Sequence, residues 1–266
     1  MNYQTLKLVS FSPTGTTEKI LNAIAQGFNP GDLITIDITR PKQRSQPLLL
    51  ATDDILLIGV PVYMGRVPEV ISAWLKTLHA TNTPTICVVV YGNRVYDDAL
   101  LELRDIIIGN GCLPIAAGAF IGEHSFSSSE TPIAADRPNP SDLALAESFG
   151  RKIKDKLLTH PNPDRNCLIS PPGQIPYRGE TTLWDVDFIA VSPACNNCQR
   201  CSSICPTAAI NPQDSRQIDH KKCITCCACI KKCPTQARSI KPGPVHDAAN
   251  RLHTNFKAPK QPELFY

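Results

Sequence analysis

The chain is expected to fold as a doubly wound α/β domain built on a five-stranded parallel sheet, followed by a small α+β unit organised by cysteines. Three observations predict this. Over the first 160 residues, short runs that are apolar throughout alternate with helix-like stretches, as strands do when helices cover both faces of a sheet. A stretch holding Pro161, Pro163, Pro171, Pro172 and Pro176, with neither helical nor strand period, then interrupts the pattern. Beyond it, two copies of one cysteine motif fall between residues 195 and 233. The 266 residues therefore divide into a first domain at 1–160, a connector at 161–191, a cysteine unit at 192–242 and a tail at 243–266.

Taken in order, residues 6–11, 33–38, 55–60, 85–91 and 113–120 read as strands, and residues 17–28, 68–79, 97–110 and 141–158 as helices. Ser141 reads as the N-cap of the last helix, and residues 39–51 as mostly loop. In such a fold the ligand crevice opens at the carboxyl ends of the strands. The loop after the first strand, Ser12, Pro13, Thr14, Gly15, Thr16 and Thr17, suits a phosphate. Gly15 permits a tight turn, the hydroxyls donate, and the helix N-terminus adds positive potential. It lacks the Gly-Lys-Ser/Thr of a triphosphate loop and the Gly-x-Gly-x-x-Gly of a dinucleotide loop, so no NAD(P)H site is expected. It resembles the phosphate loop of flavodoxins, which hold FMN with uncharged donors. That resemblance makes the fold flavodoxin-like. It also implies flavin contacts from two further loops, Pro61, Val62, Tyr63, Met64 and Gly65 after the third strand and Tyr91, Gly92, Asn93, Tyr96 and Asp97 after the fourth. Tyr63, Met64 and Tyr96 are the stacking candidates. The Met64-Gly65 peptide resembles one that flips toward flavin N5 in flavodoxins, a freedom that glycine provides.

The cysteine motif is Cys-x2-Cys-x2-Cys-x3-Cys-Pro, at Cys195, Cys198, Cys201, Cys205 and Pro206 and again at Cys223, Cys226, Cys229, Cys233 and Pro234. Every position recurs after 28 residues, so the repeat keeps its register. Three cysteines at this spacing reach three corners of one 4Fe-4S cube, and the fourth lies too far along the chain, so it serves the other cube. Cys195, Cys198, Cys201 and Cys233 are assigned to one cluster, and Cys223, Cys226, Cys229 and Cys205 to the second. Zinc sites use pairs of ligands, which these nested spacings do not match. The repeat resembles the bacterial two-cluster ferredoxins, a resemblance that covers about residues 192–241 and implies low-potential electron transfer.

Two features depart from free flavodoxins. Arg66 and Arg94 occupy the flavin loops, where acidic residues are usual, and would stabilise reduced flavin if close to it. Glu123 and His124, followed by Ser125 and Phe126, stand after the fifth strand as a candidate proton relay. The motifs together resemble flavodoxin-ferredoxin fusion proteins. Membership implies FMN and two 4Fe-4S clusters in one electron carrier with redox partner proteins as donor and acceptor. The alternative is a flavin-dependent reductase of a quinone or nitro compound, fed by the clusters. Residues 161–266 hold 13 Lys/Arg against 8 Asp/Glu. Lys221, Lys222, Lys231 and Lys232 there offset anionic clusters, so nucleic-acid binding is not needed to explain them. The longest apolar run, 55–62, is strand-sized, and a cytoplasmic location without a membrane span is expected. Cys87 reads as a core residue, Cys227 as packing beside a ligand, and the tail, with Leu252, Phe256, Leu264, Phe265 and Tyr266, as a segment that wraps back over a domain surface.

Overall fold

Strands that are apolar on both faces need two covering layers, and the chain supplies them. The structure is a computed structural model and describes residues 5–181 and 184–266. Five parallel strands, β1 (Thr5–Ser10), β2 (Asp32–Asp37), β3 (Asp54–Pro61), β4 (Thr83–Tyr91) and β5 (Cys112–Ile121), lie in the order β2-β1-β3-β4-β5. That order is the flavodoxin-like doubly wound one, whose switch point lies between β1 and β3. Every residue of β4 and β5 is buried, whereas β2 is an edge strand with Leu33 and Ile34 about half exposed.

Side chains alternate between the faces of each strand. Val9, Phe11, Leu56, Ile58 and Val89 pack under α2 (Glu69–Leu75) and α3 (Ala99–Gly109). Leu6, Leu8, Leu57, Val88 and Val90 pack under α1 (Thr16–Phe28) and α4 (Pro140–Thr159). The last two helices approach closely because Gly27 and Gly150 lie at the contact. A Cβ on Gly27 would fall 1.9 Å from Glu147 O, and one on Gly150 would fall 2.1 Å from Ile24 O. All five expected strands and four expected helices are present. A 3-10 turn, Pro41–Arg44, and a single parallel bridge from Leu49 to His79 interrupt the 39–51 loop. One local reading is corrected. Asn139, not Ser141, caps α4, because Pro140 takes the first helical position and Asn139 forms a reciprocal pair with Asp142.

The small unit pairs β6 (Ile189–Val191) with β7 (Arg238–Ile240) in antiparallel fashion, so its own sheet begins upstream of residue 192. It also holds the short helices α5 (Arg200–Ile204) and α6 (Ala228–Lys231). The repeat of 28 residues is kept in the backbone as well as the sequence. Positive φ recurs at Asn197 and Thr225, at Gln199 and Cys227, and at Ala208 and Gln236, all between 51° and 61°. Turn hydrogen bonds recur too: Cys195 N–H to Ser192 O and Cys223 N–H to His220 O, both 3.1 Å, and Cys205 N–H to Ser202 O and Cys233 N–H to Ile230 O, both 3.3 Å.

The tail forms α7 (Pro244–Asn255) and β8 (Glu263–Phe265), which adds to β5 as an antiparallel sixth strand. Asn93 anchors it. Its side-chain amide donates to Phe256 O at 2.7 Å and Ala258 O at 3.0 Å, and its oxygen accepts from Lys260 N–H at 3.1 Å. The tail therefore crosses from the small unit back onto the large one.

Candidate functional site

The loop between β1 and α1 is preorganised for an anion. Gly15 sits at φ 96° and caps the helix without a side-chain bond. Ser12 Oγ accepts from Glu18 N–H at 3.0 Å, and Thr14 and Thr16 hydroxyls lie 3.4 Å apart. Thr17 is buried, and its hydroxyl has no hydrogen-bond partner among the described residues. Thr14 and Thr16, at the N-terminus of the 13-residue helix, line a cavity, where their hydroxyls and the helix end are placed to meet a phosphate oxygen. The loop thus fits a phosphate group.

From Thr14 and Thr16 a narrow cavity runs past Pro61, Gly92, Gly122 and Glu123. It shares Val62, Tyr63, Tyr91, Gly92, His124 and Ser125 with a larger cavity of about 600 Å³, a size that suits a small aromatic cofactor. Met64, Gly65, Arg94, Asp97 and Phe126 line the larger cavity as well. Tyr63 and Arg66 exchange backbone hydrogen bonds at 3.0 Å around Met64 and Gly65, whose φ values of 51° and 84° make a two-residue primed turn. The second position favours glycine, since its φ is positive and a Cβ there would meet Asp97 Oδ2 at 2.4 Å.

Four groups in these loops are engaged elsewhere. Tyr96 does not line the larger cavity. It packs on Tyr91 with ring centroids 5.5 Å apart and donates its hydroxyl to Glu263 at 2.6 Å, because β8 arrives there. Asn93 is occupied by the tail. Arg66 turns to Glu102, with hydrogen bonds of 2.9 and 2.7 Å, and stacks over Tyr177. Met64 O already accepts from Glu180 N–H at 3.1 Å, so a flip of the Met64-Gly65 peptide has to break that bond. Arg94 does reach the cavity and is paired with Asp97.

Glu123 and His124 do not form a relay. The Glu123 carboxylate binds Lys231 Nζ at 2.6 Å. His124 Nδ1 accepts from Phe126 N–H at 3.0 Å, which keeps the proton of the neutral ring on Nε2. Burial, then the charges of Lys231 and Arg94, press its pKa down to about 4, so the ring is neutral near pH 7.

Sequence reasoning missed the outer walls of the large cavity. Gly179, Glu180 and Trp184 come from the connector, Ile224 and Thr225 from the second cysteine loop, and Arg251, Leu252, Asn255 and Phe256 from α7 and its end. The signal for the last group was the apolar set Val245, Ala248, Ala249, Leu252 and Phe256 at helical spacing.

Cys205, Cys223, Cys226 and Cys229 line a small separate cavity walled by Ile189, Ile210, Ile218 and Ile224. Burial pushes the Cys226 and Cys229 thiols up, the latter to about 12, and the neighbouring cysteines, Cys205 among them, add to this. Ala209 N–H donates to Cys205 Sγ at 3.3 Å. Cys227 lines the same volume, so five cysteines surround it, and the four assigned ones, with Cys205 from the other motif copy, suit a cluster that needs one thiolate per iron. Among the described residues no three His, Cys, Asp or Glu converge on a single-ion site. The other set is more open, with Cys198 exposed, Cys195 and Cys233 partly buried, and Cys201 buried. Its fit rests on the repeated backbone conformation. Cys227 occupies the Gln199 position of the repeat, caps α6 and is buried, which agrees with packing.

Residues 216–239 match the family model described as 4Fe-4S binding domain. The chain joins a flavodoxin-like domain to a ferredoxin-type iron-sulfur unit. No curated protein matches the chain. Among solved structures, a flavodoxin from the domain Archaea is 14% identical over 58% of this chain and 99% of its own, with a TM-score of 0.39. The Streptococcus pneumonia TIGR4 flavodoxin is 15% identical over 57% and 98%, with a TM-score of 0.36. Flavodoxin 1 from Bacillus cereus is 14% identical over 59% and 97%, with a TM-score of 0.37. The flavodoxin-like assignment itself rests on the strand order. Such a domain fused to a 4Fe-4S binding segment supports an electron-transfer role, and no described helix is long and apolar enough to cross a membrane.

Proposed function

We propose that the chain is a redox relay that holds FMN in the large cavity and a 4Fe-4S cluster on each cysteine set, and passes electrons among them within one molecule. One observation carries this reading: Ile224, between Cys223 and Cys226, lines both the large cavity and the cysteine cavity. The two volumes thus border on a common residue. Tyr63 lines the large cavity, its phenol pushed well above the usual range by burial and then by the nearby Cys226 and Cys227.

When bound, FMN exchanges two electrons in single steps and each cluster exchanges one, so the fusion joins two-electron to one-electron chemistry without a diffusional encounter. The chain's own residues set the conditions. Thr14, Thr16 and Thr17 hydroxyls would hold the phosphate. Tyr63, Trp184 and Phe126 line the large cavity and would wall the ring and exclude water. His124 presents a neutral imidazole and supplies no proton as an acid near pH 7. With no dinucleotide fingerprint in the sequence, electrons enter and leave by contact with partner proteins.

Anaerobic purification with quantification of FMN, iron and sulfide tests the cofactors, with one FMN and about eight irons and eight sulfides expected. Flash reduction of the flavin then tests the relay, and clusters that stay oxidised on the timescale of turnover would refute it. Arg251 and Asn255 bring polar groups over the large cavity and favour a second reading, a reductase of a quinone or nitro compound. Saturable oxidation of the reduced protein by such a compound is its signature.

A further inference from the structure

The loop from Ser12 to Thr17 carries hydroxyls but no lysine or arginine, so on its own it would meet a phosphate dianion with neutral donors and a helix N-terminus only. The small unit brings a cation to it. Lys232 Nζ lies 3.9 Å from the point where a Cβ on Gly15 would stand, and apart from the chain neighbours of Gly15 no other described heavy atom comes within 4 Å of that point. The Lys232 side chain is partly buried and has no hydrogen bond or ion pair among the described residues.

Its neighbour behaves differently. Lys231 Nζ is engaged twice, at 2.6 Å from both Glu123 Oε1 and Ser127 O. These contacts pin the end of α6 against the β5 loop, and Lys232 N–H donates to Ala228 O at 3.0 Å. Lys232 is thereby held over the phosphate loop by contacts that do not use its ammonium. At the end of the same loop, the buried Thr17 hydroxyl also lacks a partner among the described residues. An unpaired ammonium from the small unit thus stands over a loop whose Thr14 and Thr16 line a cavity. A phosphate bound there would meet the ammonium as well as the hydroxyls, and charge-assisted contacts of this kind are the stronger hydrogen bonds.

We propose that Lys232 is a ligand of the FMN phosphate, so that the cofactor is clamped between the two units and is selected over its dephosphorylated form, riboflavin. This rests on reading the loop as the FMN phosphate site. Arg44 adds a second clasp between the units at the same edge, donating to Pro206 O at 2.8 Å.

The test uses the full chain with its clusters intact, freed of flavin by dialysis and titrated with FMN and with riboflavin by fluorescence quenching. For Lys232→Ala the FMN Kd is expected to rise on the order of tenfold or more. The riboflavin Kd and the iron content should stay at the wild-type values, and added KCl should weaken FMN binding more in the wild type than in the variant. Lys232→Arg retains most of the FMN affinity, and Lys221→Ala serves as a surface control. Where Lys232→Ala loses iron, Lys232→Gln, which keeps most of the stem, repeats the comparison. An unchanged FMN Kd overturns the proposal. Equal weakening of FMN and riboflavin overturns it too, because it assigns Lys232 to packing between the units. A wild-type protein that binds neither flavin refutes the flavin reading itself, a result distinct from the other two.

Discussion

The two units are held together by different forces. The sheet domain encloses Phe11, Phe120 and Phe149 without exposure, and its central strands are apolar on both faces. In the small unit, three of the seven buried core residues are cysteines, Cys201, Cys227 and Cys229, beside Phe188, Ile189, Ile210 and Val245. So small a core does not offset the chain entropy of ordering the unit, and metal-thiolate bonds have to supply the difference. Anaerobic iron chelation should therefore have the largest effect of any perturbation. Hydrogen exchange is expected to show complete loss of protection in β6, β7, α5 and α6 while β3, β4 and β5 stay protected. Equal loss in both units would break the comparison.

The junction between the units offers the next largest effect. His124 is held near a pKa of about 4 by burial first and by Lys231 and Arg94 after that. Its folded-state value lies below the unfolded one of 6.5, so the unfolded chain takes up the proton first as pH falls. The contribution to stability is whole above pH 6.5 and is lost progressively toward pH 4, by up to about 3 kcal/mol. Denaturant unfolding across that range should show the slope in the wild type and a flatter profile in His124→Gln. Chelation, which releases Lys231 from the junction, should move the His124 transition upward.

Glycines sharpen the comparison at smaller scale. A Cβ on Gly150 collides with the backbone of α1, which cannot yield easily, whereas a Cβ on Gly243 meets nothing within 4 Å and suffers only from φ 138°. Gly150→Ala is expected to destabilise the sheet domain by about 2 kcal/mol. Gly243→Ala should cost the small unit about 1 kcal/mol. Denaturation midpoints followed by tryptophan and cluster absorbance separate the two.

Much of this contrast was legible in the sequence. Continuous apolar runs predict buried parallel strands because periodicity and burial are properties of the chain itself. The 28-residue cysteine register needs no tertiary information either. Tyr96 and Asn93 were misread, and Arg66 was left undecided, for one reason: their partners Glu263, Phe256 and Glu102 lie on other elements, and no local pattern announces them. The walls contributed by Trp184, Ile224 and Arg251 were hidden likewise, since they exist only once the units dock. Loop chemistry can be read from neighbours in sequence, whereas a cavity between units depends on packing.

The smallest effect expected is at the surface of the small unit. Lys241 and Asp187 tie β7 to the segment before β6 at 2.6 Å, and the Lys241 ammonium holds the Asp187 carboxyl below its usual range. The pair looks like a clasp, but both side chains are well exposed, at 38% and 50%. Water and salt screen such a pair, and ordering two flexible side chains opposes the Coulomb gain, so Lys241→Ala should lower stability by less than about 1 kcal/mol. In the sheet domain Arg137 and Asp142 are almost wholly buried, and the same carboxylate also accepts from Asn139 N–H at 2.8 Å. Removing the Asp142 side chain there leaves a buried cation and takes away one half of the reciprocal cap of α4. If Lys241→Ala instead destabilised the iron-loaded small unit by several kcal/mol, side-chain contacts rather than metal would be holding that unit, and the contrast with the sheet domain would have to be abandoned.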